Sequence, residues 1–236
     1  MQTQAARPRT GAAHPDVTAA LAVVAHPDDE SFGLGALITA LTDRAVPVWV
    51  LSFTRGEAST LHDHPGDLAA IRADELRAAA TVLGVDRVEL LDHPDGALAG
   101  VDLATLTAPV LAMIGQLRPS HLLVFDQGGI TGHPDHVRAT EAALAAATTA
   151  GLPLLAWALP HEVATRLNHE FGTAFAGRRP DELDQPVPVD RDRQRLAIAS
   201  HRSQSTDNPV LRRRIELLAD TEQTRLLYQP APPTRH

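Results

Sequence analysis

His26-Pro-Asp-Asp-Glu30 sets one imidazole and three carboxylates directly behind the apolar run Leu21–Ala25. So many polar groups at the end of a buried strand are unfavourable unless a cation or a reaction uses them. A second cluster, His133-Pro-Asp-His136, follows the run His121–Phe125 in the same manner. In each, a further potential ligand stands three residues after the first histidine, a spacing that puts both side chains on one side of a helical first turn. A catalytic zinc takes three N/O ligands and keeps one position open for water. His26, Asp29 and His136 supply such a set. Asp28 is then the spare carboxylate, placed to take a proton from a water whose pKa the ion lowers towards about 7. His133 is expected to stabilise an oxyanion or protonate a leaving group, with Asp135 to orient it. The chemistry implied is metal-assisted hydrolysis.

Other readings of the same residues are weaker. Asp in a helical first turn and Pro at its first position are ordinary capping choices, yet capping does not account for the two flanking histidines. Two histidines and a carboxylate also form the facial triad of non-haem Fe(II) oxygenases, but an oxygenase has less need of the adjacent Asp28. A non-catalytic sugar-binding protein is disfavoured because ligands, base and assisting histidine are all present. The His-Pro-Asp triplet alone says little, since it also starts at His14 and His93. His14 has no strand before it, and His93 is expected on a rim loop.

Alternating strands and helices must carry these clusters. Strands are expected at Leu21–Ala25, Val46–Phe53, Arg87–Leu91, Leu122–Phe125 and Leu154–Leu159. Helices are expected at Ser31–Arg44, Asp67–Leu83, Leu103–Leu117 and His136–Thr149. The last of these strands is followed by a turn-rich stretch, Gly177–Pro188, with room for a short edge strand, and by helices at Asp190–His201 and Pro209–Leu218. Gly33 and Gly35 lack the third glycine of a dinucleotide fingerprint and read as close helix–sheet packing. The pattern predicts an α/β, Rossmann-like, doubly wound and mostly parallel sheet of order 3-2-1-4-5 with helices on both faces. In that order the first and fourth strands are neighbours at the switch point, where ligands bind beyond the strands' carboxyl ends. Both clusters fall there.

Composition excludes several classes. The chain of 236 residues has a formal charge of -8, and all 21 basic residues are arginine, so it is a poor partner for nucleic acid or an anionic membrane. It has no cysteine, which rules out disulfides, thiolate zinc sites and cysteine nucleophiles. No run reaches the length of a membrane span, and residues 1–16 lack a secretory apolar stretch. The expectation is a cytoplasmic protein with a disordered tail over 1–17, one domain over 18–228, and a frayed end over 229–236.

AHPDDE (25–30), Thr54-Arg-Gly-Glu57, Arg72-Ala-Asp-Glu75, Pro94-Asp-Gly96 and Gly132-His-Pro-Asp-His136 together resemble the LmbE-like, or PIG-L, family of metal-dependent N-deacetylases, over about residues 20–205. The resemblance implies a Rossmann-like fold and removal of an N-acetyl group from an N-acetylglucosamine-type small molecule. It implies one Zn²⁺ per subunit, with Fe²⁺ or Mn²⁺ as substitutes, held by His26, Asp29 and His136. Asp28 would be the base and His133 the oxyanion aid, while Glu57, Arg72 and Asp95 fall where relatives hold sugar hydroxyls. Ser200–Gln204 is similar to a segment near the site, which makes His201 a supporting partner behind the ligands. Relatives usually carry a lysine ahead of that segment, where this chain offers Arg193 or Arg195. Thr131 stands where some relatives place a tyrosine. A homo-oligomer is compatible with the resemblance.

Overall fold

The computed structural model describes residues 16–61 and 66–231. Most of the expected N-terminal tail, His14 included, and the end of the chain from 232 lie outside the described residues. Val17, assigned to the tail, is buried in the core.

A six-stranded sheet forms the centre. Its parallel strands are β1 (Ala20–Val24), β2 (Val48–Thr54), β3 (Arg87–His93), β4 (His121–Phe125) and β5 (Leu154–Trp157), in the expected order 3-2-1-4-5. The strand Thr224–Tyr228 adds to β5 antiparallel and closes that edge. Successive residues of β1 and β4 feed opposite faces. Ala20, Ala22, Val24, Leu123 and Phe125 pack in one layer, and Leu21, Val23, Leu122 and Val124 in the other. Burial on both sides explains why these strands read as continuous apolar runs.

The helices are α1 (Asp29–Phe32), α2 (Gly35–Thr42), α3 (Leu68–Leu83), α4 (Leu103–Leu117), α5 (Gly129–Gly132), α6 (Pro134–Ala150), α7 (His161–Phe171), α8 (Asp192–Ser200), α9 (Arg202–Ser205) and α10 (Pro209–Leu218). Local chemistry sets their ends. The Asp67 side chain accepts from Ala70 N at 3.2 Å to start α3, and Gly84 at φ 74° stops it. His133 and Pro134 open α6, and Gly151 at φ 64° ends it.

Two expectations need correcting. The single helix Ser31–Arg44 is two, α1 and α2, broken at Gly33 and Leu34. A Cβ on Gly33 would stand 2.3 Å from the Phe125 ring, so the break comes where the chain presses onto β4. The strand Leu154–Leu159 divides after Trp157, and Leu159–Pro160 pairs instead with Gly177–Arg178. The stretch 177–188 holds short strands as expected, each in a small two-stranded sheet: Gly177–Arg178, and Val187–Pro188 paired with Thr221–Glu222. The helix α7 and the strand Thr224–Tyr228 were not expected. Among the described residues no helix is long and apolar enough to cross a membrane.

Candidate metal centre

The β1 end turns sharply into α1, and Asp28 takes φ 122°, a backbone setting that non-glycine residues adopt only when the surroundings enforce it. Two buried groups enforce it. Glu30 accepts from the Asp28 N–H at 2.9 Å and is itself held by Ser31 Oγ at 2.5 Å and His201 Nε2 at 2.7 Å. Arg72 donates through Nη2 to Pro27 O and to Asp28 Oδ2 at 3.0 Å, and through Nη1 to Gly56 O at 2.6 Å. His201 therefore reaches the site by way of Glu30, a residue for which no role was expected.

Two lone pairs and one carboxylate meet beyond this turn. His136 Nδ1 lies 3.1 Å from Gly129 O, so that nitrogen is the donor and Nε2 presents its lone pair. His26 Nε2 lies 3.0 Å from Asp95 Oδ1 and 3.4 Å from Asp135 Oδ2, which leaves Nδ1 as the free lone pair. His26 Nδ1 and His136 Nε2 are 3.1 Å apart, and Asp29 stands 3.2 Å from His136 Nε2 and 3.6 Å from His26 Nδ1. Asp29 is aimed by the backbone N–H groups of Ala25 and His26, at 3.1 and 3.0 Å on Oδ2. Three acceptors this close repel one another unless a positive charge sits among them. Ligands about 2.0–2.1 Å from a tetrahedral ion lie roughly 3.3 Å apart, so the spacing suits a cation of zinc's size and donor preference. The carboxylates behind the imidazole are the usual device for fixing such a ring.

The other expected site residues are placed as follows. Asp135 is fully buried, with a carboxylate oxygen within 4.8 Å of ring nitrogens of both His133 and His26. Its Oδ1 accepts from Leu98 N at 3.0 Å and its Oδ2 from Gly96 N at 2.8 Å, beside His26. Among the described residues its side-chain hydrogen bonds run to the Gly96–Leu98 loop and to His26, and none reaches the His133 ring directly. His133 instead accepts on Nδ1 from the Asp135 backbone N–H at 3.2 Å, and its ring packs 4.8 Å from His136. Asp95 uses Oδ1 on His26 and Oδ2 on Ala58 N at 2.9 Å, and Glu57 accepts from Asp95 N at 2.9 Å. Arg72 and Asp95 also line the cavity into which the centre opens. Neither lysine-position candidate joins the site, since Arg193 bonds Val82 O and Asp43, and Arg195 pairs with Asp192.

The electrostatics match the geometry. Burial disfavours charge on His26, yet Asp135, Asp29 and Asp95 hold it well above its ordinary value. His136 is likewise raised, by Asp29 against burial. Asp29, despite burial, is held well below the usual carboxylate range by the two imidazoles. Burial pushes Asp28 up to about 6, with Arg72 pulling the other way. Burial and the neighbouring imidazoles lower His133. Protons and a metal ion compete for the same ligand atoms.

The centre opens into a cavity of about 630 Å³. Its lining includes His26, Asp28, Asp29, His133 and His136 at one end, and Phe175, Val210, Leu211 and Arg214 among the rest. Thr131 also lines it. Arg214 carried no signal in the sequence.

The family model described as PIG-L, GlcNAc-PI de-N-acetylase, matches residues 21–147. The chain belongs to the PIG-L family. Among PIG-L relatives, a 1D-myo-inositol 2-acetamido-2-deoxy-alpha-D-glucopyranoside deacetylase from Mycolicibacterium gilvum is 35% identical over 164 residues, 59% of this chain and 56% of the relative. The chain spans about half the length of the curated relatives it matches. N,N'-diacetylchitobiose deacetylase from Pyrococcus horikoshii superposes with a TM-score of 0.67 at 22% identity, covering 93% of this chain and 88% of that one. The 4-carboxy-2-hydroxymuconate hydratase of Pseudomonas putida KT2440 superposes with a TM-score of 0.70 at 17% identity, covering 93% and 100%. The shared scaffold thus also occurs in a protein of different chemistry.

Proposed function

We propose that this PIG-L chain is a zinc-dependent hydrolase that removes the N-acetyl group from a small N-acetylglucosamine-type substrate. The observation that carries the reading is the convergence of His26, Asp29 and His136, each with its other polar atoms already tied, beside an ionisable carboxylate that is not part of the set. The named activities of the family model and of the mycobacterial relative support the same substrate class.

When bound, the ion supplies Lewis acidity and lowers the pKa of a coordinated water. Asp28, its carboxyl near 6 and held at the turn by Arg72 and Glu30, takes the proton as water adds to the amide carbonyl. His133 accepts on Nδ1, so Nε2 carries the proton and donates to the carbonyl oxygen as it gains negative charge. The lowered basicity of His133 keeps that ring a neutral donor at pH 7. The C–N bond then breaks, Asp28 returns the proton to the nitrogen, and acetate and a free amine leave. Asp95 and Asp135 hold the His26 ring throughout.

The test is metal content together with acetate and free-amine release from N-acetylglucosamine and its inositol glycoside. Stoichiometric zinc with acetate release is expected. Oxygen consumption, or a metal-loaded protein that frees no amine from any N-acetylated sugar, overturns the reading.

A further inference from the structure

Helix α10 begins at the cavity wall. Its cap Asn208 accepts from Leu211 N at 2.9 Å, and Asn208, Val210, Leu211 and Arg214 all line the cavity. Val210 and Arg214 are four residues apart and share a helix face, and helical side chains lean towards the N-terminus. The Arg214 guanidinium is thereby carried back to the end of the helix where the dipole is positive.

Arg214 is only 9% exposed, and its charge is not neutralised by a close partner. Nη2 donates to Phe32 O at 2.7 Å, the guanidinium carbon stands 5.2 Å from the Trp157 ring centroid, and Nε has no hydrogen-bond partner. Among the described residues it makes no ion pair. Glu222, the buried carboxylate acting most strongly on it, is already bound to Arg191 at 2.5 Å and to Trp157 Nε1 at 2.7 Å. Burial accordingly lowers Arg214 to about 10. A buried cation without its counter-ion is strongly unfavourable. The cavity it lines also carries the apolar side chains of Phe32, Phe125, Val210 and Leu211, with Asp28 and Asp29 the other charges in that cavity that act on it. A partly desolvated anion there is attracted more strongly than it would be in water.

We propose that Arg214 and the first turn of α10 form an anion subsite that takes a carboxylate or phosphate carried by the substrate elsewhere than at its scissile amide. The proposal rests on the cavity being the substrate site of the hydrolase proposed above, and it narrows that substrate to an anionic amino sugar.

The zinc-loaded protein is titrated calorimetrically with glucosamine, glucosamine 6-phosphate, glucosamine 1-phosphate and muramic acid. At least one charged ligand is expected to bind tenfold or more tightly than glucosamine, and whether a phosphate or the carboxylate does so identifies the source of the charge. In Arg214→Met the preference should fall to twofold or less, and Arg214→Lys should keep part of it. Equal binding of neutral and charged ligands by the wild-type protein overturns the subsite, as does a preference that survives Arg214→Met. The wild-type comparison decides the matter if that variant does not fold. Binding needs no turnover, so a retained charge preference without acetate release rejects the hydrolase reading and leaves the subsite standing.

Discussion

Two buried charge clusters lie close together in this molecule and differ in one respect. Around Arg191 each guanidinium nitrogen has a partner. Nη1 meets Glu222 at 2.5 Å and Gln194 at 2.8 Å, Nη2 meets Thr221 O at 2.8 Å, Nε meets Ala219 O, and Trp157 closes the far side of Glu222. At the β1 and β4 ends the outer atoms are held in the same way, but the inner ones of His26, Asp29 and His136 converge on one point, 3.1 to 3.6 Å from one another. A closed cluster fastens the chain, here the Thr221–Glu222 segment to α8 and β5. An open one is built to receive something. Charge type and burial do not distinguish the two; saturation does.

The comparison can be broken at several points. The largest effect is expected for His136→Ala, which should abolish zinc retention after dialysis while the fold persists by circular dichroism. Full zinc occupancy in that variant removes His136 from the ligand set. Asp28→Asn should keep the metal but lower turnover by about 10²–10⁴-fold, the usual worth of a general base. At the closed cluster the signs reverse. Glu222→Ala strands Arg191 and should cost about 3–5 kcal/mol in urea unfolding, with zinc stoichiometry unchanged; loss of metal there would merge the two clusters into one. Asp95→Asn leaves every ligand in place and should weaken zinc affinity by about 10–100-fold, as expected of a group behind a ligand.

The smallest effect concerns His201, fully buried against Glu30. Burial opposes its charge, but Glu30 lifts its pKa above the ordinary 6.5. The folded protein therefore holds this proton more tightly than the unfolded chain. The resulting stabilisation is complete below pH 6.5 and fades as pH rises through the lifted value. His201→Gln should cost about 1–3 kcal/mol at pH 6 and progressively less at alkaline pH, as read by denaturant unfolding. A pH-independent difference would show that the ring acts by packing alone.

Much of this was legible because it is local. The runs before His26 and His133, and the strand–helix rhythm, determine which strand ends meet, and so the neighbourhood of the ligands. What was not legible depends on direction rather than position. Asp135 stands two residues after His133, and only the fold shows that its carboxylate is tied to the Gly96–Leu98 loop. That Arg72 also braces the turn through Pro27 and Gly56 needed the fold to bring those carbonyls around its guanidinium. The strand Thr224–Tyr228 was missed because no helix separates it from Thr221–Glu222, so the alternation that revealed the others is broken. Arg214 needed the tertiary contacts of Phe32 and Trp157 before its isolation could be seen at all.

The forced backbone at Asp28 has an evolutionary corollary. A substitution that let this turn relax, such as Asp28→Gly, would make the folded chain easier to hold together while removing the proton acceptor. On the proposed function, robustness and reactivity therefore pull in opposite directions at this one residue.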